Sequence, residues 1–221
     1  MLLLCFVHAA TAQISLPVRE NGIYLKGSAA SKVTVELYVD PFCPDCQKEY
    51  FMWKELNSTF AEPDLAVKLH LFSQSFHLWA FTATLGAMVC YAHSPPTTWP
   101  FLESMWANPQ DFGFTDWGSD KHTPSNLTEI VVLDRLAGYA AAAGVPRPVF
   151  ESGVNNRSYA GTNPWAKVWE GWKMAVARGA ASVPWYVVNG VPYYAASNDA
   201  HLGASAWNDT VHRLIAEQWH Y

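Results

Sequence analysis

Hydrophobic and polar positions change period several times along this chain, and each change marks an element. Val33 to Val39 (VTVELYV) is dense in β-branched and aromatic residues and reads as a strand. It follows a turn-like stretch, Gly27 to Ser31, and everything before that is expected to be unstructured or cleaved. Asp40-Pro-Phe-Cys-Pro-Asp45 interrupts the strand. From Cys46, CQKEYFMWKELNSTF has helical spacing, with Tyr50, Trp53, Leu56 and Phe60 on one stripe. Pro44 suits the first helical position, where its missing N–H costs nothing. Glu62-Pro-Asp64 breaks the chain, and Leu65 to Phe72 alternates as a second strand. Helical patterns then cover His77 to Tyr91, closed by Ser94-Pro-Pro-Thr, and Thr98 to Ala107 and Leu127 to Ala143. Gly144 to Gly161, with Pro146, Pro148 and Gly153, reads as mostly loop. Asn163-Pro164 starts a helix through Trp165, Trp169 and Trp172 to Arg178. Val183-Pro184 introduces a third strand, Trp185 to Val188. Asn189-Gly190 is a hairpin signal leading into Val191 to Ala195, and Leu202 to Gln218 forms a last amphipathic helix. The order is β-α-β, a helical block, then β-β-α: an α/β chain with no internal repeat.

Composition narrows the class. Half of the 221 residues are hydrophobic and 15% are charged, enough to bury a core and unlike a disordered chain. A net charge of −5, with 14 Lys and Arg and no basic run, excludes nucleic acid as a partner. Leu2 to Val7 is apolar and Ala10-Thr11-Ala12 has the A-x-A form of a cleavage site, so residues 1–12 are expected to be a signal peptide and 13–221 the folded domain. No positive n-region precedes the apolar run, since the first basic residue is Arg19; an ordinary apolar first strand is the alternative. The longest other apolar segment, Leu78 to Ala92, is short of the roughly 18 residues a span needs, so no stable membrane insertion is expected. Sequons at Asn57, Asn126, Asn156 and Asn208, and a terminus (Gln218-Trp-His-Tyr221) without a retention address, favour a glycosylated protein that is secreted or held in the secretory lumen.

The cysteines are Cys5, Cys43, Cys46 and Cys90, and cleavage after Ala12 would remove the first. One close pair plus one single suggests working thiols rather than a disulfide framework. Cys43 falls at a helix N-terminus, where unpaired N–H groups and the macrodipole favour an anion, so its thiol pKa should fall and its thiolate act as nucleophile. One helical turn brings Cys46 within bonding reach to resolve a mixed disulfide. Asp45, inside the motif, should oppose the thiolate. Zinc needs two further ligands at compatible spacing, and the eight His are dispersed, so neither metal nor cofactor is expected. A purely structural disulfide is the other alternative.

With these residues in view, VTVELYVDPFCPDCQKEY resembles the active-site segment of the DsbA-like branch of the thioredoxin superfamily. LHLFSQSFHLWAFTATLGAMVCYAH and WPFLESMWANPQDF are similar to that branch's helical insertion, and Gly179 to Gly190 to its cis-proline strand. The resemblance implies a thioredoxin-like fold with a mixed central sheet and an insertion at about 76–160. It implies that Cys43 attacks and Cys46 resolves, and that a cis Val183-Pro184 lies beside them and pairs with the substrate backbone. It also implies cysteine-containing client proteins and a redox-recycling partner.

The pattern fails at one place. The branch often carries a buried acid six residues before the nucleophile, to take the proton of the resolving thiol, and here that residue is Leu37. Glu36, one residue away, points to the opposite face of the strand and is expected on the surface, leaving proton transfer from Cys46 unexplained. Cys90 reads as a buried small hydrophobe or an intermolecular pairing site. His77 is either near the active site or an ordinary core or helix-start histidine, and His70 carries no usable signal. The Trp165, Trp169, Trp172 stripe is expected in the core, with an aromatic surface for unfolded peptides as the alternative. Two rival functions stand beside disulfide exchange: a binding or chaperone module with a structural disulfide, and a glutathione-dependent isomerase or transferase. Retention of Cys46 weighs against the latter.

Overall fold

A computed structural model describes residues 21–114, 127–159, 162–194, 196 and 201–217. The expected signal peptide, with Cys5, and the Asn126 sequon residue lie outside them. In chain order the elements are β1 (Ile23–Lys26), β2 (Val33–Val39), α1 (Pro44–Leu56), β3 (Leu65–Leu71), α2 (Ala80–His93), α3 (Thr98–Ala107), α4 (Glu129–Ala142), α5 (Arg147–Asn155), α6 (Pro164–Ala177), β4 (Trp185–Val188), β5 (Val191–Pro192) and α7 (Ala204–Glu217).

The sheet is mixed, in the order β1-β3-β2-β4-β5. β2 and β3 run parallel, from Val33↔Leu65 to Val39↔Leu71, and the remaining pairs are antiparallel. Both central strands are covered on both faces, which is why VTVELYV is nearly continuous in apolar residues rather than alternating. Leu37 and its β4 partner Tyr186 face α1, whose Trp53 Nε1 donates to the Tyr186 hydroxyl at 3.0 Å. Glu36, Tyr38, Lys68 and His70 share the other face, toward α6. The stripe expected on α1 is in the core: Tyr50, Trp53, Leu56 and Phe60 are all buried.

Three expectations are corrected. First, β1 precedes the first predicted strand and pairs with β3 at the edge of the sheet. IYLK is only four residues long and shifts register between Tyr24 and Lys26, so no alternation marks it. Second, residues 144–161 contain α5. Pro146 is its N-cap and Pro148 its second residue, where prolines lack no needed donor, and Gly153 is a packing glycine rather than a breaker. Third, only Trp165 of the α6 tryptophans packs, partly buried, against the core. Trp169 and Trp172 are each 37% exposed, and the helix buries Ala166, Val168 and Ala175 instead. Small residues let α6 approach β3 and α2 closely, and the indoles are displaced to its rim.

The hairpin signal holds, with Asn189 (φ 48°) and Gly190 (φ 82°) both left-handed as a tight primed turn requires. The strand that follows is short, Val191–Pro192 rather than Val191 to Ala195. No helix among the described residues is long and apolar enough to cross a membrane.

Candidate active site

Cys43 is the N-cap of α1, with extended backbone (φ −94°, ψ 118°), and Pro44 occupies the first helical position. The Cys43 sulfur accepts the Cys46 backbone N–H at 3.4 Å, the role a serine or aspartate oxygen plays at ordinary helix starts. A sulfur anion there faces unpaired helix N–H groups and the positive end of the macrodipole. The same sulfur lies 3.9 Å from the Val183 carbonyl oxygen. Val183-Pro184 is cis. The four residues singled out from sequence, Cys43, Cys46, Val183 and Pro184, are therefore brought together from segments 140 positions apart.

The two thiols differ in setting. Cys43 is 6% exposed and Cys46 not at all. Cys46 Sγ accepts the Asp40 N–H at 3.4 Å. Burial, the neighbouring Cys43 sulfur and the Asp40 charge push the Cys46 thiol well above its ordinary value. Cys90 lies buried on α2, and burial pushes its thiol up to about 12. Asp45, expected to oppose a thiolate at Cys43, is held by Lys48 at 2.8 Å, which offsets its charge, and has His201 Nε2 at 3.8 Å.

The helical block fastens the segment before the cysteines. Trp106 of α3 donates to the Pro41 carbonyl at 2.8 Å, Gln47 donates to the Trp106 carbonyl at 3.3 Å, and Phe42 packs on Phe112 and Phe114. Asp40 was read from sequence only as a strand interruption, yet it is fully buried. Its Oδ1 accepts the Phe42 N–H at 2.7 Å and its Oδ2 the Gln74 N–H at 2.6 Å, and His77 Nδ1 is 3.0 Å from Oδ2. An aspartate closing a strand two residues before a backbone donor is an Asx-turn pattern, the signal that could have found it. His77, 3% exposed, is a buried histidine that meets Asp40, whose backbone N–H in turn meets the Cys46 sulfur. With Phe72, Ser73, Gln74, Phe76 and Trp172 it lines a cavity of about 360 Å³ between the β3–α2 loop and α6.

Glu36 is not a surface carboxylate. It is 7% exposed, its Oε2 lies 2.7 Å from His70 Nε2, and it pairs with Arg178 at the end of α6. Arg178 also donates to the Tyr38 hydroxyl at 3.0 Å, and Tyr38 stacks on His70 at 4.4 Å. Burial pushes the Glu36 carboxyl up, but His70 and Arg178 outweigh it and hold it below the usual range. Burial holds His70 down against the pull of Glu36. A second buried carboxylate, Glu49 of α1, accepts from the Tyr186 hydroxyl and lies 3.1 Å from His201 Nδ1. Among the described residues no group of three or more His, Cys, Asp or Glu is arranged to hold a metal ion.

No family model matches the chain, and no curated protein matches it in sequence. Solved structures do match it in fold. A Pseudomonas syringae protein assigned as a protein-disulfide isomerase superposes with a TM-score of 0.65 at 18% identity, covering 84% of this chain and 96% of its own. BdbD from Bacillus subtilis, in its oxidised form, gives 0.63 at 15% identity, covering 89% of this chain and 100% of its own. Reduced DsbA from Mycobacterium tuberculosis gives 0.58 at 18% identity, covering 89% and 93%. The fold is thus the thioredoxin-like fold of DsbA-type proteins, as the resemblance of the active-site segment implies.

Proposed function

We propose that this chain is a thiol–disulfide oxidoreductase that exchanges disulfides with cysteine-containing client proteins. One observation carries the reading: the sulfur of Cys43 caps α1, one turn from Cys46, and sits 3.9 Å from the carbonyl of Val183 before the cis Pro184. Cys43 is the nucleophile, being the cysteine at the helix end and the less buried of the pair. Cys46, shielded behind it, is the resolving thiol. The Val183-Pro184 segment pairs with the client backbone by strand addition, holding its sulfur in line with Cys43. Exposed Phe76, Leu78 and Trp172 beside the cavity offer apolar contact to an unfolded client. Turnover requires a recycling partner. The signal-like first 12 residues and the sequons support action in the secretory lumen or outside the cell.

The test is trapping. A Cys46→Ala chain mixed with a disulfide-bonded peptide should accumulate a stable mixed disulfide through Cys43, and a Cys43→Ala chain should accumulate none. Equal trapping by both, or by neither, would refute exchange chemistry and return the chain to a binding role.

A further inference from the structure

Resolution of a mixed disulfide requires Cys46 as a thiolate. Yet this thiol is fully buried, and its surroundings oppose ionisation. A base must therefore take its proton during the step. The groups acting on Cys46 come from three elements: Cys43 at the start of α1, Asp40 from the turn before it, and Tyr186 of β4, with Glu49 behind its hydroxyl. Leu37 leaves the strand beneath the pair without a carboxyl, and Glu36 is on the other face, held by His70 and Arg178.

We infer that Asp40 and His77 form a proton relay for Cys46, in which Asp40 takes the proton and His77 carries it to the cavity beside α6. This rests on the exchange reading above. The Asp40 N–H touches the Cys46 sulfur, its carboxylate is fully buried, and its Oδ2 meets His77 Nδ1 at 3.0 Å. An Asp–His contact of this kind orients the imidazole. His77 lines the cavity of about 360 Å³, whose polar wall of Ser73, Gln74 and Ser75 gives a proton an exit to solvent. Both carboxylates are engaged, Asp40 by the Phe42 and Gln74 N–H groups and Glu49 by Tyr186 and His201, so it is the contact of the Asp40 backbone with the Cys46 sulfur that favours Asp40.

The step balances as follows. Cys43 Sγ, already joined to a client sulfur, is attacked by Cys46 Sγ as its proton passes to Asp40. The Cys43–Cys46 bond forms, the client–Cys43 bond breaks, and the electron pair leaves on the client sulfur as thiolate. The cysteine pair is oxidised and the client reduced. In the opposite direction Cys46 leaves as thiolate and is reprotonated along the same path.

Stopped-flow release of a fluorescent peptide thiol from its mixed disulfide with Cys43, between pH 5 and 9, reads this step. Asp40→Asn, which keeps the turn acceptor, and His77→Gln should each slow release at least about tenfold near pH 7 and move its rise to higher pH. Attack by Cys43, measured in the Cys46→Ala background, should change less than about twofold, and Glu49→Gln should release at nearly the native rate. Native release rates in both relay variants, or the loss falling on Glu49→Gln instead, would overturn the relay. So would equal loss of the first step in both relay variants, which would mark them as shaping the whole site. Failure of Cys43 to attack in the native chain would sink the exchange reading itself.

Discussion

Side chains of equal charge have unequal fates here, decided by register and neighbours. Glu36 lies one residue from the strand position beneath the cysteines, and that single step puts it on the α6 face beside His70 and Arg178. Sequence pattern shows the step but not the partners, which come from β3 and the end of α6, 34 and 142 residues away. The Cys43–Cys46 pair stands out locally, by its one-turn spacing at a helix start, whereas a cis Val183-Pro184 beside it was implied only by the resemblance of its strand. Asp40 and His77 were not paired by sequence, because nothing local joins a strand end to a loop 37 residues on. The Glu36–His70 pair carries a pH prediction. His70 titrates lower folded than its ordinary value of about 6.5, so below that value the unfolded chain binds more protons and stability falls with pH. Glu36, also held down, adds to the loss below about pH 4.3. The unfolding free energy from urea titrations should therefore drop from pH 7 to 5, by at most about 1.4 kcal/mol per pH unit from one group, and His70→Gln should flatten that slope. An unchanged slope in the variant would assign it elsewhere.

Among elements, the helices with a wide apolar stripe and a clear start were the most legible. Thr98 to Ala107 was expected at the bounds α3 has, and Pro164 opens α6 as expected. α5 was missed because its prolines and glycine look like breakers, whereas their meaning depends on position. Gly153 makes the point: a Cβ there would lie 2.6 Å from Val89 Cγ1 of α2, so its absence is what lets the two helices touch. Gly153→Ala should destabilise by about 1–3 kcal/mol despite alanine's better helix propensity. Gly138→Ala on α4, where an added Cβ meets nothing within 4 Å, should stabilise by up to about 1 kcal/mol. Denaturant titrations of the two variants check both signs, and equal shifts would contradict the packing account. The tryptophan stripe shows the limit of periodicity. Spacing says that three indoles share a face, while contact with the sheet decides whether that face is inward.

Across the whole molecule, the sheet and the helical block converge on one point. β2 leads into Asp40, α3 pins Pro41 through Trp106, the β3–α2 loop brings His77, and the end of α6 leads into the segment before Val183. Asp40-Pro41, His77, Trp106 and the end of α6 lie far apart in sequence, which is why the order of elements was readable and the support of the site was not. All of them hold two thiols at the start of one helix, where the reduced pair is favoured by a helix terminus facing Cys43. On the exchange reading the reduced form of this pair is stabilised and its disulfide is easily reduced. The equilibrium of the Cys43–Cys46 pair across glutathione redox buffers, read by alkylation and mass, tests this most directly. A pair working as an oxidase or isomerase should titrate in the region of about −120 to −200 mV; a bond that stays oxidised below about −300 mV would be structural and would contradict the account.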